Sequence, residues 1–273
     1  MIVTTLVTEF GKKAAERWLA LLAVPGLVFT GFAVVAVLLG HARWAEFGSI
    51  GARLSGWSDG TTRTLLVAIL VVAAAAAAGY LAQALGGGVE NLLTGQWSRL
   101  GRSLATSLTA RRRERWDALN DGEHNEERNR FALSPPIRPT WIGDRLCAPA
   151  VRVRQDYGLD LASTWPRLWL LLPDSMREPL AAARARFDAA CALGGWSLLY
   201  LALGAWWWPS AVVGVALTLT SWRRARSAAA GYADLVESTV DVRRDELIRH
   251  FARDPEIGRV QGLDLTERFR KGT

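Results

Sequence analysis

Apolar positions in this chain gather into long uncharged blocks separated by arginine-rich segments, a pattern that a soluble helix bundle does not show. The first block, LALLAVPGLVFTGFAVVAVLLG over residues 19–40, and the second, LLVAILVVAAAAAAGYLAQALG over 65–86, each hold 22 residues without a charge. At ~1.5 Å per residue, either covers the ~30 Å of hydrocarbon in a bilayer. Both therefore predict transmembrane helices, the first kinked at Pro25 and Gly26. A third block, from about Ala189 to Trp222, is 34 residues long. As one helix it would reach ~50 Å, far more than a bilayer requires. Gly204 can close one helix and Pro209 can occupy the first turn of the next, so the block predicts a hairpin with spans at about 187–204 and 208–222. Charge favours the same reading. SWRRAR follows the block, and a single crossing would send it to the side opposite the arginine-rich segment 99–186.

Outside the blocks the pattern changes to helical spacing. Leu6, Phe10, Ala14 and Trp18 stand four apart, as in an interfacial helix or a first turn leading into the span. After GGG at 86–88, the series Val89, Leu93, Trp97, Leu100, Leu104 and Leu108 predicts an amphipathic helix leaving the membrane. The segment 120–136, rich in Asn, Asp and Gly and ending in a double proline, predicts a flexible connection. WPRLWLLLP at 165–173 is too short to span and fits either a membrane-surface contact or a short buried segment. Ser175 and Glu178 have the spacing of a capping box and predict a helix start. In the tail, Tyr232, Leu235, Val236, Val240, Leu247, Ile248 and Phe251 form an imperfect stripe that Asp254 and Pro255 should stop.

The expected organisation is an all-α integral membrane protein with four transmembrane helices in two hairpins. An N-terminal interfacial helix (1–18) precedes the first hairpin (19–86). A cytosolic helical region (87–186), a second hairpin (187–222) and a cytosolic amphipathic helix with tail (223–273) follow. Arginine placement predicts a bacterial plasma (inner) membrane location with both termini cytoplasmic.

Formal net charge is +7, carried almost wholly by arginine, since Lys12, Lys13 and Lys271 are the only lysines. The arginines flank apolar blocks, which fits membrane orientation and argues against nucleic acid as a partner. Trp18, Trp206, Trp207, Trp208 and Trp222 are expected as interfacial anchors. Arg111, Arg112, Arg113, Arg223 and Arg224 are candidate contacts for anionic lipid. Ala75, Ala78 and Gly79 form a small-residue surface that lets another helix approach closely. Asp188 stands at the cytosolic end of the third span. It is a candidate pore-mouth residue or an interfacial charge paired with Arg184 or Arg186. No Walker loop, dinucleotide fingerprint, HExxH or nucleophile elbow is present. His41, His124 and His250 are far apart, and Cys147 and Cys191 form no metal-like pair. No catalytic residue, metal or cofactor is expected.

PTWIGDRL at 139–146, followed by YGLDLASTWPRLWLLLP at 157–173, resembles a motif pair of uncharacterised multi-span membrane proteins of actinobacteria. In that family Pro-Thr-x-x-Gly-Asn precedes Tyr-Gly-Leu-Asp and a Trp-Pro-Arg-Leu element; here Trp141 and Asp144 stand where Arg and Asn are usual. The resemblance implies source and topology and brings no activity with it. Two functional expectations follow: a self-associating assembly, possible as a pore around a common axis, and a membrane-anchored interaction module that recruits a cytosolic protein partner.

Overall fold

The computed structural model describes residues 24–46, 48, 50–51, 60–119, 125–251 and 259–270. The expected 1–18 helix with Trp18, the start of the first span and His124 lie outside them. The described chain is all helical, with no strand among the described residues. Its helices are α1 (Val24–Leu39), α2 (Thr61–Thr94), α3 (Arg102–Ala118), α4 (Asn125–Phe131), α5 (Trp141–Tyr157), α6 (Leu161–Leu171), α7 (Asp174–Leu203), α8 (Trp208–Phe251) and α9 (Arg259–Arg270). The fold divides into two compact units, Met1–Val89 with Cys191–Trp222, and Glu90–Ala190 with Arg223–Thr273.

In the first unit, helices touch backbone to backbone because small residues face one another. A Cβ on Gly195 of α7 would lie 1.9 Å from Ala82 O of α2, and one on Gly26 of α1 would lie 2.2 Å from Ala75 O. Ala75, Gly79, Ala82 and Gly86 are accordingly buried and Ala78 is half-buried. Aromatic rings add edge contacts: Phe29 packs on Tyr200 with ring centroids 5.2 Å apart, and Phe32 packs on Tyr200 at 5.4 Å and on Trp207 at 5.8 Å. α7 ends at Leu203 and α8 opens at Trp208, with Pro209 in its first turn. There Ser210 Oγ donates to Tyr200 O at 3.1 Å.

The outer surface of this unit is apolar. Leu65, Leu66, Ile69 and Leu70 of α2 are each more than half exposed, as are Val212, Val215 and Leu219 of α8. Among the described residues one helix, α2, is long and apolar enough to cross a membrane, while α1 is apolar over 16 residues.

The second unit has its own core, built from Val153, Leu159, Leu168, Val240, Leu247 and Leu265, with a second cluster of Leu172, Leu180 and Val236 beside it. α5 and the arginine-rich part of α8 run parallel and are joined along their length. Arg226 stacks over Trp141 at 4.1 Å, Arg145 pairs with Asp234, Arg152 pairs with Glu237, and the Tyr157 hydroxyl donates to Asp241 Oδ1 at 2.9 Å.

Several local expectations change. The amphipathic series from Val89 to Leu108 is not one helix, since α2 runs on to Thr94 and α3 starts at Arg102. The break falls at Gly95, whose φ of 71° suits glycine and whose absent Cβ leaves room for Pro139 Cδ, 2.6 Å from where it would stand. Residues 125–131, expected in a flexible connection, are helical. The helix expected to start at Ser175 does start there to within one residue, at Asp174, and runs on to Leu203; its first turn bonds to Pro173 O through Met176 N and Arg177 N. α9, which no stripe in the tail announced, adds Leu265 to the core.

Replacing Gly195 by Val should separate α7 from α2 and destabilise the chain by ~1–3 kcal/mol. Gly87→Ala, where a Cβ meets nothing within 4 Å, should leave stability unchanged or slightly raised. Thermal melts of both variants in uncharged detergent, followed by helical circular dichroism, check the contrast.

Candidate functional site

The two motif segments lie in the second unit, and within PTWIGD three residues, Thr140, Gly143 and Asp144, hold the loop and the start of α5. Thr140 caps α5, its Oγ1 accepting from Gly143 N at 3.0 Å and donating to Leu93 O at 2.6 Å. Gly143 is required by proximity, since its Cβ would stand 2.3 Å from Thr94 O. Asp144 is buried and turns one oxygen back on the loop, where Oδ1 accepts from Ile137 N at 2.8 Å and Arg138 N at 2.7 Å. Its other oxygen, Oδ2, accepts from Arg112 Nη2 at 2.8 Å and Nε at 3.2 Å. The side chains of this pair are 19% and 6% exposed, so the interaction is largely shielded from water. Trp116 Nε1 donates to Ala132 O at the other end of the same loop.

YGLD is held from the far end of the chain. Gly158, at φ 68°, ends α5. Thr266 of α9 donates to Gly158 O at 3.1 Å and accepts from Asp160 N at 2.9 Å, while Arg270 reaches Asp160 Oδ2 at 3.2 Å. Burial first, then the hydrogen bond to Asp241 and its negative charge, raise the Tyr157 hydroxyl above the ordinary tyrosine value. Trp165 and Trp169 of α6 lie beside Tyr232 along a hollow of 480 Å³ that also involves Pro166 and Leu180. WPRLWLLLP is thus part of a short helix with one buried side, although Leu170 projects outward at 77% exposure.

A separate cleft of 510 Å³ in this unit is lined by Arg186 of α7 and Arg224 of α8 among small side chains. No acidic residue lines it. Its pairing of Arg186 with Arg224 is invisible to local sequence reading, although both residues flank the third apolar block and a hairpin there would bring the two ends together.

The remaining candidates scatter. Arg112 is drawn inward to Asp144 and stacks over Phe131 at 4.8 Å, while Arg111, Arg113, Arg223 and Arg224 are exposed. Trp206, Trp208 and Trp222 are exposed, whereas Trp207 is buried and its Nε1 donates to Trp44 O at 3.3 Å. Asp188 pairs with Arg184 at 2.9 Å, and Arg184 also pairs with Glu90. Among the described residues no three His, Cys, Asp or Glu side chains gather as metal ligands. His41 donates to Ala205 O at 2.8 Å and His250 to Glu246 O at 2.9 Å. No protein-family model matches this sequence, and no curated protein or solved structure shows significant similarity to it.

Asp144→Ala should cost ~3–5 kcal/mol, because it strands the Arg112 guanidinium and two backbone N–H groups. Asp144→Asn, which keeps one acceptor oxygen, should cost less. Unfolding curves together with the rate of proteolysis across 132–140 measure both. The Tyr157 contribution should be complete below the unfolded tyrosine pKa and disappear as pH rises through the raised folded value. Tyr157→Phe should remove that alkaline loss, a change read from melts across the alkaline range.

Proposed function

We propose that this chain is a membrane-anchored, non-enzymatic interaction module of a bacterial inner membrane. The first unit is the anchor, its helices crossing as two hairpins with both termini cytoplasmic. The second unit is a cytosolic head that recruits a protein partner. The observation that carries the anchor is the inverted surface of the first unit, where large apolar side chains project outward from α2 and α8 and small ones face inward. Soluble monomers rarely expose contiguous apolar patches beyond a few hundred Å². Residues 24–40, 64–89 and 191–222 also contain no Asp, Glu, Lys or Arg, as spans without an ion path would.

A homo-oligomeric pore assembled through the small-residue face of α2 has less support. Ala75, Gly79, Ala82 and Gly86 are buried within one chain, so that face is already covered. For the head, support comes from Trp165, Trp169 and Tyr232 along one hollow and from Leu170, exposed on the same helix as the two tryptophans, apolar and aromatic surface of the kind enriched at protein interfaces.

The chain should remain in membranes after an alkaline wash. A cytosolic reporter should be active after Thr273 and a periplasmic one at Trp206; activity of the periplasmic reporter after Thr273 defeats the two-hairpin arrangement. A photo-crosslinker at Leu170 should capture a heterologous protein in cells. Capture of a second copy of this chain would return the head to self-association.

A further inference from the structure

The cleft lined by Arg186 and Arg224 differs from the surroundings of the neighbouring arginines. Arg184 is held by Glu90 and Asp188, Arg226 lies over Trp141, and Arg112 is tied to Asp144. Among the described residues neither Arg186 nor Arg224 has a carboxylate partner, yet they line one cavity without an acidic group. Both guanidinium groups line the same cleft without a counter-charge there, and an anion bound in it gains charge-assisted hydrogen bonds from them. Ser227 adds a hydroxyl donor to the same wall.

The rest of the wall is apolar or absent. Ala190 and Tyr232 offer hydrocarbon, and a Cβ on Gly231 would meet nothing within 4 Å, so the cleft is open at that point. A ligand matching this cleft has a compact anionic group and an attached apolar part. Sequence position narrows it further. Arg186 precedes the uncharged stretch 191–222 by five residues and Arg224 follows it by two. In a membrane-anchored chain, those are the positions of headgroup-level arginines.

We infer that this cleft is a binding site for one anionic phospholipid, its phosphate held by Arg186 and Arg224 and its glycerol and upper acyl carbons lying along Ala190, Gly231 and Tyr232. The inference rests on the membrane-anchor reading above. The phosphate contact alone would also suit a free anion, but the apolar wall and the flanking of an uncharged span favour the lipid.

Native mass spectrometry of the full chain in uncharged detergent tests it, with titrations of phosphatidylglycerol, phosphatidylcholine and inorganic phosphate. The wild type should bind phosphatidylglycerol in preference to phosphatidylcholine. Arg186→Gln with Arg224→Gln should weaken that binding by about thirtyfold, from two headgroup contacts. Gly231→Leu fills the cleft without changing charge and should weaken it as well, while Arg130→Gln with Arg154→Gln, two exposed arginines elsewhere, should not. Equal weakening in this last variant, no effect of Gly231→Leu, or displacement of the lipid by equimolar phosphate overturns the site. Helical circular dichroism confirms that each variant is folded. Retention of wild type and variants in alkaline-washed membranes without a phosphatidylglycerol preference overturns the site alone, whereas release of the wild type from those membranes overturns the anchor reading beneath it.

Discussion

The second unit of this protein is organised around one buried carboxylate, Asp144. Asp144 accepts two backbone N–H bonds from the 132–140 loop and a forked contact from Arg112, so a loop with three prolines is fixed against α3 and the first turn of α5. Buried charge is costly unless every lone pair finds a donor, and here both oxygens do. Proline supplies no N–H, so the loop's ladder of bonds cannot be its own; Ile137 and Arg138, the residues between the prolines, turn theirs to Asp144. Because α5 starts from that fixed point, its polar contacts with α8 meet in register from Trp141 to Tyr157.

Glycine does a different job in each unit. In the first unit Gly26 and Gly195 bring helix backbones to distances that a methyl group would forbid. In the second, Gly95 and Gly158 turn the chain with positive φ, and Gly262 lets α9 approach Tyr157 O, 1.8 Å from where a Cβ would be. α2 runs through GGG at 86–88, where Gly86 packs on Ala192 and a Cβ on either of the other two would meet nothing within 4 Å. Composition alone does not distinguish a glycine that ends a helix from one that lets another helix in.

Arginine shows the same divergence. Along the sequence, Arg111, Arg112 and Arg113 are interchangeable members of a basic run. Only Arg112 points at Asp144, 32 residues away, and it becomes part of the core architecture. Arg184 and Arg186 differ by two positions on α7, which places them on different sides of the helix, one beside acids and the other on an acid-free cleft.

Helix content, the apolar blocks and the interruption between Leu203 and Trp208 were legible in the sequence, because each depends on local signals: uncharged length, Gly204 and Pro209. The motif segments were legible as unusual but not as to purpose. Their partners, Leu93, Thr94, Arg112 and Thr266, lie 32 to 108 residues away, and a hydrogen bond between such positions leaves no local periodicity. For the same reason α9 and the burial of Trp207 escaped notice. What the sequence by itself determined is which stretches are apolar helices and where arginine surrounds them. The tertiary structure decided which glycines are contacts, which arginines are paired, and which two arginines share a cleft, since each of those outcomes depends on a neighbour supplied by another part of the chain.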